Sequence, residues 1–289
     1  MNIIFWIISS FLWSITDNIW KKAVLLSKLP QTLFATFWPI WWIIIVYSII
    51  VFWWQKLTIF QDYKSLIIIL AIAITSFFVT NLYIYVYKKV KLSELLPYNN
   101  LDKIFIVLFW FVIFYWTKNS TSILSFLITL ATIFIIIWFN INPKKVKFSK
   151  DILIFIWIKV LEAIITLTVW YIFLKYSTVE YIAVEAVMFF SITIIVAILL
   201  KYNLKLLFTQ EKDFYKYRLW AWIIWWTWFL IWLYIIETSG VLIWTLISFT
   251  WLIFQVLSMK FILKDTPEKK QIILAIIVMI MIWIWYYYK

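Results

Sequence analysis

The chain contains no cysteine and no histidine. The first absence excludes disulfides and thiolate metal sites. The second removes imidazole acid–base chemistry and the commonest metal ligand, so no metal or other cofactor is expected. Glycine occurs once, at Gly240, and arginine once, at Arg218. Acidic residues are scarce, 13 against 26 basic ones. That excess does not point to nucleic acid. The lysines sit mostly in short segments between apolar runs, where they set topology and meet anionic lipid headgroups. No polar stretch is long enough for a soluble domain, the longest being 201–218. The first apolar run lacks a basic flank and a small-residue cleavage site, so no cleavable signal peptide is expected.

What remains is apolar: 66% of the residues are hydrophobic, far above a soluble domain. Apolar runs of about 20 residues, each able to cross a hydrocarbon core, recur along the chain. They predict an all-α integral membrane protein of ten transmembrane helices. The spans are expected at 3–26, 32–54, 66–87, 93–116, 120–140, 152–174, 179–200, 218–236, 240–263 and 269–288. The basic linker 141–151 separates a five-helix repeat at 1–140 from a second at 152–289.

Basic residues alternate between the connections. Lys28, Lys88, Lys89, Lys91, the 144–150 lysines, the 201–218 cluster and the 260–270 lysines mark one set. Lys56, Lys64, Lys118 and Lys175 are nearly all that the other set holds. The positive-inside rule then puts the first set in the cytoplasm and both termini outside. Five spans per half make the two halves run in opposite directions. That is the plan of an inverted repeat with its site between the halves near the midplane.

Tryptophan is as abundant as glycine is rare, with 23 residues. The stretch WAWIIWWTWFLIW at 220–232 is the extreme. Trp222 and Trp226, Trp228 and Trp232, and Trp38 and Trp42 are four apart, the spacing of small packing residues in membrane helices. Exchanging Trp for Gly would raise glycine to about 8% of the chain, close to the usual value of about 7%. A reading frame whose UGA codons mean glycine, translated as tryptophan, gives this pattern. The sequence as written predicts crowding, with the indoles of Trp225, Trp226 and Trp228 in space that a solute path would use.

FLWSITDNIWKKAVL at 11–25 resembles the opening helix of an EamA-type repeat in the drug/metabolite transporter superfamily. ELLPYNNLDKIFIVLFWFVIFYW at 94–116 is similar to the fourth helix of such a repeat, with its proline and small polar group. GVLIWTLISFTWLIFQVLSMKFILKDTPEKKQIILAIIVMIMIWIWYYY at 240–288 resembles the closing helix pair. The acidic residue that follows the fourth helix in this family is absent from the first half, where Trp116 and Thr117 stand, while Asp265 can occupy its place in the second. The resemblance implies a multi-pass protein of the cytoplasmic membrane, not an enzyme: a secondary transporter, commonly an exporter of metabolites or drugs. It also implies cytoplasmic termini, opposite to the charge pattern.

Ionisable groups inside spans cost about 2.5–3.5 kcal/mol each at a helix centre, so each is a candidate for function. Glu162 lies near the midplane of the sixth span with Lys159 one turn away. The pair is either a substrate or proton site or a self-neutralising contact. Asp17 and Asn18 lie late in the first span, where Lys21 can pair with Asp17. Tyr98, Asn99, Asn100, Asp102 and Lys103 follow Pro97 and are too polar to face lipid together. Asn81, Glu185 and Gln255 complete the cavity candidates. Ser177 and Glu180 fit a capping box for the seventh span.

The expected partners are the lipid bilayer and a small solute, with the chain a monomer or a homodimer. The main reading is a transporter working by alternating access. A lipid-carrier flippase on the same fold and an integral-membrane transferase are the alternatives; the latter has no histidine and no loop for a donor nucleotide. The tryptophan reading is checked at the gene: codons 225, 226 and 228 are expected to be UGA, and UGG at all three would retire it.

Overall fold

A computed structural model describes residues 3–31, 58–95, 98–99, 101–114 and 149–239, with isolated positions 46, 49, 50, 131, 254, 258, 273, 276, 277 and 280. All regular structure among the described residues is helical. The helices are α1 (Ile3–Leu26), α2 (Tyr63–Lys89), α3 (Leu92–Leu95), α4 (Leu101–Phe114), α5 (Lys150–Phe173), α6 (Thr178–Leu199) and α7 (Lys212–Ser239). Short 3-10 turns stand at Thr58–Gln61 and Leu204–Phe208. Helices α2, α5, α6 and α7 are long and apolar enough to cross a membrane. Apart from isolated positions, the spans expected at 32–54, 120–140, 240–263 and 269–288 lie outside the described residues.

Two boundaries differ from the sequence expectation. The span expected at 93–116 is divided: α3 ends at Leu95, Asn99 sits in a turn, and α4 starts at Leu101. Pro97 supplies the reason, because it lacks an N–H and disfavours helical backbone in the residue before it. The span expected to begin at 218 starts at Lys212. Hydropathy marks only the part that would lie in hydrocarbon, while the polar first turn with Asp213 continues the helix, its charge favourable beside the N-terminal dipole.

Helix ends follow local sequence. Ser177 and Glu180 form the expected capping box of α6. Ser149 caps α5 through Ile152 N–H. With so little glycine in the chain, α6 ends on Lys201 at φ 53°, and Tyr202 N–H donates back to Ala197 O at 3.1 Å. Left-handed backbone at a residue with a Cβ costs on the order of 1 kcal/mol or more.

The hydrogen bonds fix how the helices run. Lys28 Nζ reaches Glu211 Oε1 at 2.9 Å, and Gln210 Oε1 accepts from Lys28 N–H at 3.1 Å. The end of α1 therefore meets the start of α7. Lys88 Nζ donates to Leu29 O at 3.2 Å, bringing the end of α2 to the same level. At the opposite end, Tyr176 OH donates to Asp62 Oδ2, Glu180 accepts from Thr58, and Thr178 Oγ1 donates to Glu237 Oε2. One end thus holds Lys28, Lys88, Lys91, Lys201 and Lys212 with Glu211 among them, and the other holds Asp62, Glu180 and Glu237 with Lys64 and Lys175.

Outward faces are apolar. On α2, Ile67, Leu70, Ile74 and Phe78 form one exposed stripe at helical spacing, and Leu153, Trp157, Ile164 and Tyr171 do so on α5. Polar residues turn inward instead: Ser14, Asn18, Lys21, Asp102 and Lys159 are buried. A bundle with apolar stripes outside and charge inside suits hydrocarbon rather than water.

Asp62 caps α2 by accepting from Lys64 N–H and Ser65 N–H. The Ser65 hydroxyl first, then the Tyr176 hydroxyl and the backbone N–H groups, hold its carboxyl at about 2, below the ordinary 3.8. A depressed carboxylate stabilises the fold fully above 3.8, and that contribution is lost as pH falls through about 2. In detergent melts, the stability difference between the native protein and Asp62→Ala is expected to be constant above pH 4 and to shrink towards pH 2. A difference that is the same at both pH values would contradict this account.

Candidate functional site

Polar stripes on three helices meet inside the bundle. On α2, Ser76, Thr80, Tyr83 and Tyr87 recur at steps of three and four. On α1, Ser9, Ser10, Thr16 and Asp17 keep one face, and on α5 Lys159, Glu162 and Thr166 do the same. Together with Asn99, with Asp102 and Lys103 of α4, and with aromatic residues of α7, they surround a cavity of about 240 Å³.

Two carboxylates from different helices reach the same face of α2. Tyr83 OH donates to Glu162 Oε1 at 2.8 Å, and Lys159 Nζ donates to Glu162 Oε2 at 2.8 Å and to Tyr83 OH at 2.6 Å. This closed ring of three groups joins α2 to α5. Tyr87 OH donates to Asp17 Oδ1 at 2.9 Å, joining α2 to α1. On α4, Lys103 pairs with the Oδ2 of its neighbour Asp102. Lys159 also lies 5.2 Å from the ring centroids of both Tyr83 and Phe155, within cation–π range.

Five expected residues, Asp17, Asn99, Asp102, Lys159 and Glu162, are thus brought together at the cavity. Four others lie elsewhere. Asn18 is buried and donates to Ser14 O and Ser258 Oγ, a contact between helix segments. Asn81 donates to Phe77 O on its own helix. Tyr98 is buried beside the Asn99 turn without lining the cavity, and Glu185 belongs to α6, which contributes nothing to the lining. Asn100 and Gln255 lie outside the described residues. The expected Asp17–Lys21 pair does not form: Lys21 Nζ donates to Val90 O, and Asp17 takes Tyr87 instead. Residues four apart on one helix can meet, but the Lys21 stem carries its ammonium toward the helix end, to the Val90 carbonyl, and Asp17 meets Tyr87 across the helix interface.

Tyr83, Tyr87, Thr80 and Ser76 were absent from the expected site. Their signal is in the sequence as a polar stripe of helical period through an otherwise apolar run. It was hidden because hydroxyl groups barely lower hydropathy and can bond to their own helix.

The crowding expected of the indoles is largely present. Trp225 and Trp228 line the cavity with Trp13, Trp20 and Trp232. The Trp13 and Trp228 ring centroids are 3.9 Å apart at 46°, closer than the separation of about 4.5–7 Å that aromatic pairs prefer. Trp226 departs from the expectation. It is stacked on Trp222 at 6.1 Å rather than lining the cavity, although its buried Nε1 lacks an acceptor among the described residues, as crowding leads one to expect.

No protein-family model matches the chain, and no curated protein matches it. The site therefore rests on its own geometry.

Glu162→Gln leaves the Lys159 ammonium buried without its counter-charge, and breaking such a pair costs about 3–5 kcal/mol. The single variant is expected to melt well below the native protein in detergent, whereas Lys159→Met with Glu162→Gln recovers most of the loss. Equal melting of single and double variants would show that the ion pair does not hold α2 against α5 in this way.

Proposed function

We propose that this chain is a secondary transporter, built as ten spans in two inverted five-helix halves like EamA-type members of the drug/metabolite transporter superfamily. It moves a small metabolite or drug-like solute across the cytoplasmic membrane by alternating access, in the export direction. The observation that carries this reading is the cavity of about 240 Å³ inside an apolar bundle, lined by charged side chains from both halves of the chain. Charge in such a place is costly and marks solute or ion paths. The first span of each half brings one carboxylate to it, Asp17 from α1 and Glu162 from α5. Both are held by tyrosines one turn apart on α2. This is where an inverted repeat puts its site.

The excess of lysines at one end, against Lys64 and Lys175 at the other, supports the charge-based orientation, with the 141–151 linker in the cytoplasm and both termini outside.

The absence of cysteine from the chain makes the test clean. Single variants Thr80→Cys and Thr166→Cys place one thiol each on the cavity wall. Alternating access requires a membrane-impermeant thiol reagent to modify each thiol both in right-side-out and in inside-out vesicles. Modification from one face only, at both positions, would rule the mechanism out.

A further inference from the structure

Each carboxylate of the cavity already has a cation acting on it. Both oxygens of Glu162 are engaged, one by Tyr83 and one by Lys159. Asp102 is paired through Oδ2 with Lys103. Asp17 accepts from Tyr87, and Lys159 and Lys21 both act on its charge. Charge is therefore met from within the bundle. Hydrogen bonding is not.

Asn99 and Asp102, both more than nine-tenths buried, line the cavity. Asn99 Nδ2 and Asp102 Oδ1 have no hydrogen-bond partner among the described residues. The first is a donor and the second an acceptor, three positions apart in the chain. Their placement follows from Pro97. By interrupting the helix it leaves Asn99 in a turn and Asp102 in the first turn of α4. Buried polar groups are nearly always satisfied, so an unmet donor and an unmet acceptor beside one cavity point to a ligand that meets both. Rotation about side-chain bonds, common on binding, turns the two groups toward the space their residues line.

We propose that Asn99 and Asp102 are the recognition pair of this cavity and that they read a neutral carboxamide head, carried on an apolar, ring-sized body. The proposal rests on the transporter reading and names the substrate class of its site. A carboxamide offers its carbonyl oxygen to Asn99 Nδ2 and an N–H to Asp102 Oδ1, so one planar group meets both. An ammonium has donors only and leaves Asn99 unmet. A carboxylate has acceptors only and sets a second negative charge against Asp102. An ester lacks the N–H. A site whose buried groups are placed to hydrogen-bond a head group rejects analogues that leave those groups unpaired. The rings of Tyr83 and Phe229 line the same space and suit an apolar body.

Phenylacetamide, phenylacetate, phenethylamine and methyl phenylacetate have similar bodies and differ in the head. With purified protein in detergent micelles, calorimetry is expected to give phenylacetamide at least about tenfold higher affinity than each of the other three. Asn99→Leu removes the donor with little change in size and is expected to lose about tenfold or more of that affinity. Glu185→Gln, on α6 outside the lining, should leave it unchanged. Should Asn99→Leu fail to fold, the ranking of the four probes on the native protein decides by itself. Equal binding of the ester, the amine or the anion, no binding of the amide by folded protein, full affinity in Asn99→Leu, or a loss as large in Glu185→Gln would each overturn the assignment. Amide binding by protein whose cavity thiols react from one face only would leave this inference standing and remove the transport reading. Two-sided reactivity without amide binding would do the reverse.

Discussion

The ring formed by Tyr83, Glu162 and Lys159 is the contact on which the interior depends. A carboxylate and an ammonium can remain in a low-dielectric bundle only if each meets the other and the remaining lone pairs are satisfied. Lys159 does this by donating to both Glu162 and Tyr83, so α5 carries its charges into the bundle already neutralised. The phenol extends the contact to α2, and Tyr87 on the next turn extends it to α1 through Asp17. Three helices are therefore set in register by two tyrosines. Their apolar outer stripes fix no such register, since apolar side chains gain little from one position over another in hydrocarbon.

Charge also organises the bundle along its length. Most described lysines stand where α1 and α2 end and α7 begins, together with Glu211, whereas Asp62, Glu180 and Glu237 stand at the opposite end with Lys64 and Lys175. The acidic end is tied by specific contacts, Asp62 to Tyr176, Glu180 to Thr58 and Glu237 to Thr178. The basic end is tied by Lys28 to Glu211 and by lysine contacts with the carbonyls of Leu29 and Val90. Each tie crosses between helices that are distant in sequence, so the ends close the bundle while the polar centre stays open.

The indoles work against this order. In membrane helices, positions four residues apart that face a neighbour are ordinarily small, because close backbone approach replaces the hydrophobic drive missing in lipid. Here α7 presents Trp225, Trp228 and Trp232 to the cavity, and Trp13 from α1 meets Trp228 at 3.9 Å. The hydrogen-bonded groups of the charged network, Asp17, Tyr83, Tyr87, Lys159 and Glu162, come from α1, α2 and α5 and include no tryptophan.

The sequence by itself determined the apolar helical character, most boundaries among the described helices, the capping of α6 by Ser177 and Glu180, and the candidacy of Asp17, Asn99, Asp102, Lys159 and Glu162. These follow from local causes: run length, hydrogen bonding within one turn, and the cost of charge in an apolar segment. It also contained the Ser76–Thr80–Tyr83–Tyr87 stripe, which went unread because hydroxyl groups alter hydropathy so little. Tertiary structure decided the partners. Lys21 and Asp17 are spaced to pair on one helix, yet each bonds to a different part of the bundle. Asn18, adjacent to Asp17, turns to another segment, while Glu185, an acidic residue within a span like Glu162, has no place at the cavity. Which face of a helix meets which neighbour depends on contacts more than 60 residues apart in the chain, as between Tyr83 and Glu162, and no local pattern encodes them.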